Sequence, residues 1–336
     1  MIFHRRGAAA LALAGLVAVA VLLVTRHRGP SVTVLADPHS QGVASVAFSP
    51  RGGTLAVSDL SGRAYLWDTA TGRPAATLPV RALQAVGVAY SPDGQVLAVA
   101  DWTGRVFLLN TATRRRIATL TNPGHYQSLA IAFSPDGKVL AAGRDNGRTY
   151  LWSIARRRVT AVLADPHSGG ITAVAFSPAD GLLATADGDG PVYLWDTGTG
   201  HRVATLGHLG GHSPGAIAFS PDGRLLATGY DNTSTHLWDV ATRQDVAVVT
   251  NPANANDAQI TSVAFSRNGQ LLATGDSDGV VRLWHAATRR RIATITEPQT
   301  VDRGDVTGVT SVAFSPDGRL LAIGDVNGRT YLRTVH

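Results

Sequence analysis

The stretch ITAVAFSPADGLLATADGDGPVYLWDTGTGHRVATL, residues Ile171 to Leu206, decides the fold, because the chain repeats its pattern along most of its length. The aromatic residue of its Ala-Phe pair recurs at Phe48, Tyr90, Phe133, Phe176, Phe219, Phe265 and Phe314. These seven positions lie about 43 residues apart, and self-similarity at a nearly fixed period of this size is typical of a repeat architecture. The architecture can therefore be predicted before any single residue is considered.

Short apolar runs alternate with turn residues inside each repeat. In the first full unit, 45–78, the later predicted strands are 54–58, 64–67 and 74–78. Apolar runs this short, separated by Gly, Asp and Pro, indicate antiparallel strands. The Ser-Pro-Asp-Gly sequences favour type I turns, since Pro presets φ at the second position; they begin at Ser91, Ser134, Ser220 and Ser315. Seven units of four strands predict a ring of seven blades, which exposes only short strand edges.

Closure of the ring can be predicted by counting strands. The last unit ends with its third strand, 330–332, and lacks a fourth. A surplus strand, 31–35, precedes the first unit, and the segment 32–40 closely copies the fourth strand and loop of the third unit, 160–168. The N-terminal strand is therefore predicted to complete the last blade.

The dipeptides Trp67-Asp68, Trp195-Asp196 and Trp238-Asp239 each end a predicted third strand. With this signature, residues 31–336 resemble the WD40-repeat family. The resemblance implies an all-β, seven-bladed β-propeller of WD40 type that binds other proteins and is not an enzyme. It also implies a buried hydrogen-bonded set of a His, a Ser or Thr, an Asp and the Trp, which the residues His167, Thr185, Asp189 and Trp195 match. Two units depart from the signature, with Leu109 and Arg333 in place of the Trp.

Residues 1–30 differ in kind from the repeats. The run Ala8 to Val24 carries no charge and is flanked by arginines on both sides. This pattern predicts one transmembrane helix, and a signal peptide is the rival interpretation. No small-x-small cleavage site follows the run directly, which favours an uncleaved anchor. We therefore expect two parts, an anchor and tether over 1–30 and a propeller over 31–336, in a single-pass cell membrane protein whose propeller is extracytoplasmic.

The charges are predicted to separate between the two faces of the ring. The turns after the first and third strands define the bottom face, and the turns after the second and fourth strands define the top face. Basic residues predominate at the bottom, above all in the Arg triplets 114–116, 156–158 and 289–291, and acidic residues at the top. Because the closing strand starts at the bottom, this Arg-rich bottom face is expected beside the membrane. The triplets lack interleaved aromatic residues, which argues against a nucleic-acid partner.

No sequence motif indicates catalysis or a bound cofactor. The chain has no Cys, no phosphate-binding loop and no His-Glu-x-x-His or Gly-x-Ser-x-Gly sequence. The sequence therefore predicts no catalytic residue, no cofactor and no metal site. For partner binding on the top face, the candidates are two aromatic turn residues and four acids of long inter-blade loops, namely Trp102, Tyr230, Asp257, Glu297, Asp302 and Asp305.

A second function remains open at this point. An anchor followed by a propeller is similar to the C-terminal halves of bacterial membrane Ser/Thr kinases. No kinase module precedes the predicted helix in this sequence, so a signal would have to pass through another chain. The alternative function is an extracytoplasmic sensor domain that binds a small molecule or a cell-wall fragment.

Overall fold

The computed structural model describes residues 31–37, 39–121, 127–165, 168–207, 211–250, 258–296 and 308–335. Within these residues no helix is long and apolar enough to span a membrane. Several predicted features lie outside the described residues, namely the anchor Ala8 to Val24, His167, and the loop acids Asp257, Glu297, Asp302 and Asp305.

The described residues form seven antiparallel sheets of four strands, which we call blades 1 to 7. Blade 1 comprises β2 (Val43–Phe48), β3 (Thr54–Asp59), β4 (Ala64–Asp68) and β5 (Pro74–Thr77). Blade 2 comprises β6 (Ala85–Tyr90), β7 (Val96–Asp101), β8 (Arg105–Asn110) and β9 (Arg116–Thr121). Blade 3 comprises β10 (Ser128–Phe133), β11 (Val139–Arg144), β12 (Arg148–Ser153) and β13 (Arg158–Ala164).

The remaining blades repeat this order. Blade 4 comprises β14 (Ile171–Phe176), β15 (Leu182–Asp187), β16 (Val192–Asp196) and β17 (Arg202–Leu206). Blade 5 comprises β18 (Pro214–Phe219), β19 (Leu225–Tyr230), β20 (Ser234–Asp239) and β21 (Gln244–Thr250). Blade 6 comprises β22 (Ile260–Phe265), β23 (Leu271–Asp276), β24 (Val280–His285) and β25 (Arg291–Thr296). Blade 7 comprises β26 (Val309–Phe314), β27 (Leu320–Asp325), β28 (Arg329–Thr334) and β1 (Val32–Ala36).

The N-terminal strand closes the ring. Strand β1 pairs antiparallel with β28, in a register that runs from Val32 opposite Arg333 to Ala36 opposite Arg329. The side chain of Leu35 is buried in the cluster between blades 7 and 1, while Val34 on the opposite face of the strand is exposed. The predictions of a seven-bladed propeller and of its closure by the N-terminal strand are confirmed.

The core consists of seven apolar clusters, and each lies between two neighbouring blades. Between blades 3 and 4, for example, Leu151 and Leu163 pack against Leu183 and Tyr193. Blades approach so closely that a Cβ added at Gly143 would lie 2.5 Å from Ile171 of the next blade. Neighbouring blades therefore share one core and stabilise each other.

The turns between the first and second strands are fixed by hydrogen bonds of the repeated Ser and Asp. Ser91 Oγ donates to Asp93 Oδ1 at 2.6 Å and accepts the N–H of Val96 at 2.9 Å. The Ser91 hydroxyl is the main cause of a lowered pKa at Asp93. The same pattern recurs at the pairs Ser134 and Asp136, Ser220 and Asp222, and Ser315 and Asp317. These turns are thus built alike, whichever blade they belong to.

Neighbouring residues of the closing strand provide a test of closure. We expect Leu35→Ala to reduce the free energy of unfolding by about 3 kcal/mol, because it leaves a cavity in the core between the first and last blades. The matched control Val34→Ala should change it by less than about 0.5 kcal/mol, since that side chain faces solvent. Urea unfolding followed by far-UV circular dichroism measures both, and equal losses would contradict the assigned register.

Candidate functional site

The top face carries a ring of seven structurally equivalent residues. In every blade, the first residue after the second strand donates its backbone N–H to the carbonyl of the residue before the first strand, over 2.8 to 3.3 Å. We call these donors the rim; they are Leu60, Trp102, Asp145, Gly188, Asp231, Ser277 and Val326. One backbone arrangement therefore presents seven residues of six different types around the top of the ring.

A buried position lies directly before each rim residue, at the end of the second strand. Its occupants are Asp59, Asp101, Arg144, Asp187, Tyr230, Asp276 and Asp325, and all are buried. The five Asp residues each stand eight residues before the Trp position of the third strand. This constant spacing of eight residues could have identified the buried acids from the sequence. They were missed because each resembles an ordinary turn residue.

The buried acids hold the turns that carry the rim. Asp276 Oδ1 accepts the N–H groups of Asp278 and Val280, and its Oδ2 is 2.5 Å from Nη1 of Arg282. The equivalent acid of blade 7, Asp325, accepts two turn N–H groups in the same way and the hydroxyl of Tyr331 at 3.3 Å. Burial raises the pKa of Asp325. Asp59 and Asp101 likewise bond to Tyr65 and Arg105, so four of the five acids link the turn to the third strand of their own blade.

Two blades depart from this pattern. Arg144 is fully buried, its Nη2 donates to the carbonyl of Gly104 in blade 2 at 3.3 Å, and burial lowers its pKa. Tyr230 is 0% exposed and its ring packs edge-on against His236, with ring centroids 5.3 Å apart. The expectation that Tyr230 is exposed for partner binding is therefore corrected. The turn of blade 5 begins one residue later than the sequence predicted. Tyr230 therefore belongs to the second strand, and its side chain points into the blade.

Trp102 lies on the rim, as the sequence analysis placed it. It is 36% exposed, whereas the other five Trp residues of the chain are buried. Its neighbours on the rim in blades 1 and 7 are the apolar residues Leu60 and Val326, and Leu60 is also exposed. The rim therefore has large apolar side chains over blades 7, 1 and 2, and only Asp, Gly or Ser over blades 3 to 6.

The expected buried set of blade 4 is present in part. Trp195 Nε1 donates to Thr185 Oγ1 at 2.8 Å, and blades 5 and 6 contain the same bond between Trp238 and Thr228 and between Trp284 and Thr274. The side chain of Asp189 is exposed, and its backbone N–H donates to Asp187. Asp187 is the buried carboxylate of this blade, and it also accepts the N–H of Gly169 at 3.0 Å.

Blade 5 contains a chain of polar contacts in the order acid, imidazole and hydroxyl. Asp245 Oδ2 is 2.6 Å from Nδ1 of His236, and Nε2 of His236 is 3.2 Å from Oγ of Ser234. Ser234 is buried, and its hydroxyl also lies 2.5 Å from Oδ1 of Asn232. Because Ser234 is only 6% exposed, the chain of contacts satisfies polar groups that are buried in the blade.

The described residues contain no group of three or more His, Cys, Asp or Glu that could hold a metal ion. A groove of about 560 Å³ lies on the bottom face between blades 3 and 4. It is lined by a mixture of apolar and polar residues, among them Pro135, Asp136, Phe176 and Thr197.

The surface charge of the top face differs from the sequence expectation. Acids counted as top charges, including Asp59, Asp101 and Asp187, are buried and hydrogen-bonded to the turns. Arginines occupy the top of blades 1 to 3, where Arg63, Arg81 and Arg148 are exposed and Arg105 is half-buried. The exposed acids Asp145 and Asp189 lie on blades 3 and 4. The top face is thus divided into a basic and apolar side and an acidic side.

Comparison with known families agrees with this architecture. The family described as WD domain, G-beta repeat matches residues 29–68, 115–153, 159–196, 200–239, 248–285 and 296–332. The chain belongs to the WD40 family. The matches omit 69–114, where the WD40 signature Trp is replaced by Leu109, although blade 2 has the same four strands as the others. WD40 propellers are typically scaffolds for protein interaction and are generally not catalytic. A search of curated proteins found no match to this chain.

The buried ion pair of blade 6 allows a test of how the rim is held. We expect Arg282→Leu to reduce the free energy of unfolding by about 3 kcal/mol or more, because it leaves the Asp276 carboxylate buried without its partner. Arg282→Tyr should cost only about 1 kcal/mol, since it recreates the Asp–Tyr pair of blade 7. Guanidinium unfolding of the two variants measures the difference. Equal losses would show that the acid does not need a partner on the third strand.

Proposed function

We propose that this WD40 protein is a membrane-anchored scaffold that binds another protein through its top face. The observation that supports the proposal is the rim, where the same backbone hydrogen bond recurs in all seven blades but the residue types differ. One of these residues is the exposed Trp102. Elsewhere the blades repeat the same turns and the same core. Chain-specific recognition is expected where the repeated frame allows side chains to vary.

Trp102 supports a binding role for the apolar side of the rim. An exposed Trp gains more from burial at an interface than most side chains, and Trp and Arg are enriched at the energetic centres of interfaces. Arg105 follows Trp102 by three residues in the chain, and its pairing with Asp101 at 2.6 Å already orients it. The residues needed for an interface centre are therefore assembled before a partner arrives.

The membrane part of the proposal rests on the sequence and on the position of β1. The run Ala8 to Val24 provides the anchor, and the propeller lies outside the cytoplasm. Ser31 donates its backbone N–H to Thr334 Oγ1 at 3.1 Å, at the bottom end of blade 7. The residues between this point and the anchor reach about 20 Å at full extension, which brings the bottom face close to the bilayer.

The conformation of four bottom-face arginines supports contact with anionic lipid. In the turns between the third and fourth strands, Arg114, Arg157, Arg243 and Arg289 have φ between 53° and 63°. Blades 1 and 4 have Gly72 and Gly200 at the equivalent place. A side chain in this left-handed region costs about 1 kcal/mol relative to Gly, so charge is maintained there at the expense of stability.

Two earlier predictions stay open beside this proposal. The loop acids Asp257, Glu297, Asp302 and Asp305 stay predicted partner contacts of the top face. The sensor function stays the alternative, with the bottom groove between blades 3 and 4 as its candidate ligand site.

Site-specific crosslinking tests the scaffold function. A photoreactive benzoylphenylalanine is placed in the full chain, in native membranes, at rim positions 102, 145, 231 and 277. We expect protein crosslinks from at least one rim position, because the rim contacts the partner. Matched controls at the exposed outer-strand residues Val162 and Ile292 should give none. Crosslinks from the controls alone would contradict a top-face interface.

The left-handed arginines provide the test of the membrane-facing bottom. Residues 31–336, which include every strand of the ring, carry the triple change Arg157→Gly, Arg243→Gly and Arg289→Gly. We expect binding to vesicles with anionic lipid to fall about tenfold or more, since three cations near the surface are lost. The melting temperature should stay equal or rise, because backbone strain is relieved.

The matched control removes the same charge from the top face, with Arg63→Ala, Arg81→Ala and Arg148→Ala. Vesicle binding should then stay as in the unmodified propeller. An equal loss in both triple variants would show that only net charge matters, and that the bottom face has no preferred orientation toward lipid.

A further inference from the structure

One loop on the top face is held rigidly between two blades. The loop 79–84 connects blade 1 to blade 2, and the side chains of Leu78 and Val80 anchor it in the core between them. On one side it contacts the turn of blade 1, where a Cβ added at Gly62 would lie 2.3 Å from the carbonyl oxygen of Ala82. On the other side Trp102 donates its backbone N–H to the carbonyl of Gln84 at 2.9 Å.

This loop and the two adjoining turns form one surface, which we call the blade 1–2 patch. Its exposed side chains are Leu60, Arg63, Arg81, Leu83 and Trp102, and the half-buried Arg105 belongs to the same turn as Trp102. Leu83 is 64% exposed and stands on the same anchored loop that Trp102 contacts. Large apolar side chains held this far into water on a rigid loop mark a binding surface more than a packing defect.

The charged groups of the patch have a consistent arrangement. Its two carboxylates, Asp59 and Asp101, are buried, and Asp101 is paired with Arg105. Arg105 uses Nε and Nη2 for Asp101, Thr103 and the Arg81 carbonyl, so Nη1 has no bond to the described residues. Arg81 is exposed, and its guanidinium likewise makes no bond to the described part of the chain. The exposed Arg81 guanidinium and Nη1 of the half-buried Arg105 are therefore available as donors to an incoming acceptor, while the two carboxylates are buried.

We infer that the blade 1–2 patch binds an acidic protein segment in which a large apolar side chain is flanked by carboxylates. The apolar side chain packs on Leu83 and Trp102, and neighbouring carboxylates accept hydrogen bonds from Arg81 and from Nη1 of Arg105. A basic segment would meet the two outward guanidinium groups and is disfavoured. This inference rests on the proposed scaffold function and specifies the partner of its top face.

Three synthetic peptides test the chemistry by fluorescence anisotropy with the full chain in detergent. The probe is fluorescein-labelled Glu-Glu-Glu-Leu-Phe-Glu-Glu-Glu. One control replaces Leu-Phe by Ser-Ser, and the other replaces every Glu by Lys. We expect the probe alone to bind, with affinity that falls as salt rises. Equal binding of the Ser-Ser control would overturn the apolar part, and binding of the Lys control would overturn the charge selection.

Matched substitutions locate the binding site. Trp102→Ala and Arg81→Ala should each weaken binding of the probe about tenfold, which corresponds to the loss of one well-buried contact. Arg148→Ala serves as the control, because Arg148 begins the third strand of blade 3 as Arg105 begins that of blade 2. Equal weakening by Arg148→Ala, or none by the patch variants, would overturn the site.

Tryptophan fluorescence gives a measurement that needs no partner. Because Trp102 is the one Trp that is not buried, quenching by aqueous ions reports mainly on this residue. We expect the ratio of iodide to caesium quenching to exceed the ratio measured for free N-acetyltryptophanamide, since the nearby arginines attract anions, and Arg81→Glu to reduce this ratio. The bound peptide should protect Trp102 from both ions. A ratio equal to or below that of the free amide would overturn the inferred charge of the patch.

The outcomes distinguish the inference from the function on which it rests. Crosslinks confined to rim positions 231 and 277, together with no binding of the probe, would refute the blade 1–2 patch and leave the scaffold function standing. An absence of crosslinks from every rim position would refute the scaffold function itself.

Discussion

The pairing of β1 with β28 is the interaction on which the rest of the structure depends. Each blade buries its apolar faces against two neighbours, so an open ring would expose both faces at the break. Closure joins residues from the two ends of the propeller in one sheet, with Leu35 in the core and Val32 opposite Arg333. Stability is thus shared cooperatively around the ring, and the closed ring of blades holds the backbone of the rim in a fixed position.

In this closed ring, the residues that stabilise the turns differ from the residues that are available for recognition. The buried acids and their third-strand partners fix the turns from below, while the rim side chains above contribute little to the core. Asp276 with Arg282 and Asp325 with Tyr331 achieve the same result with different chemistry. Because the turn backbone stays the same, a rim residue can change from Leu60 to Trp102 to Asp145 without a change of fold.

The sequence was sufficient for the fold because the fold depends on the repeat. Period, turn chemistry and strand count each require seven blades and a borrowed N-terminal strand, and none depends on a single residue. The site depends on single residues, and there the sequence failed by one position at Tyr230. A strand and the turn that follows it have no sharp boundary in sequence, yet one residue reverses the direction of a side chain. Asp187 was missed and Asp189 chosen for the same reason, since Asp-Gly-Asp-Gly does not show which carboxylate is buried.

Charged residues occupy unfavourable positions on both faces of the ring, and on both faces this reduces stability. At the bottom, arginines occupy a left-handed backbone position that Gly would fill without strain. At the top, carboxylates are buried beneath the surface, so that Arg81 and Arg105 provide its outward charge on blades 1 and 2. If stability alone had been selected, the left-handed position of the bottom turns would be Gly and the buried position before each rim residue would be apolar. The retained charges are therefore the reason to propose separate tasks for the two surfaces, contact with lipid at the bottom and contact with a partner at the top.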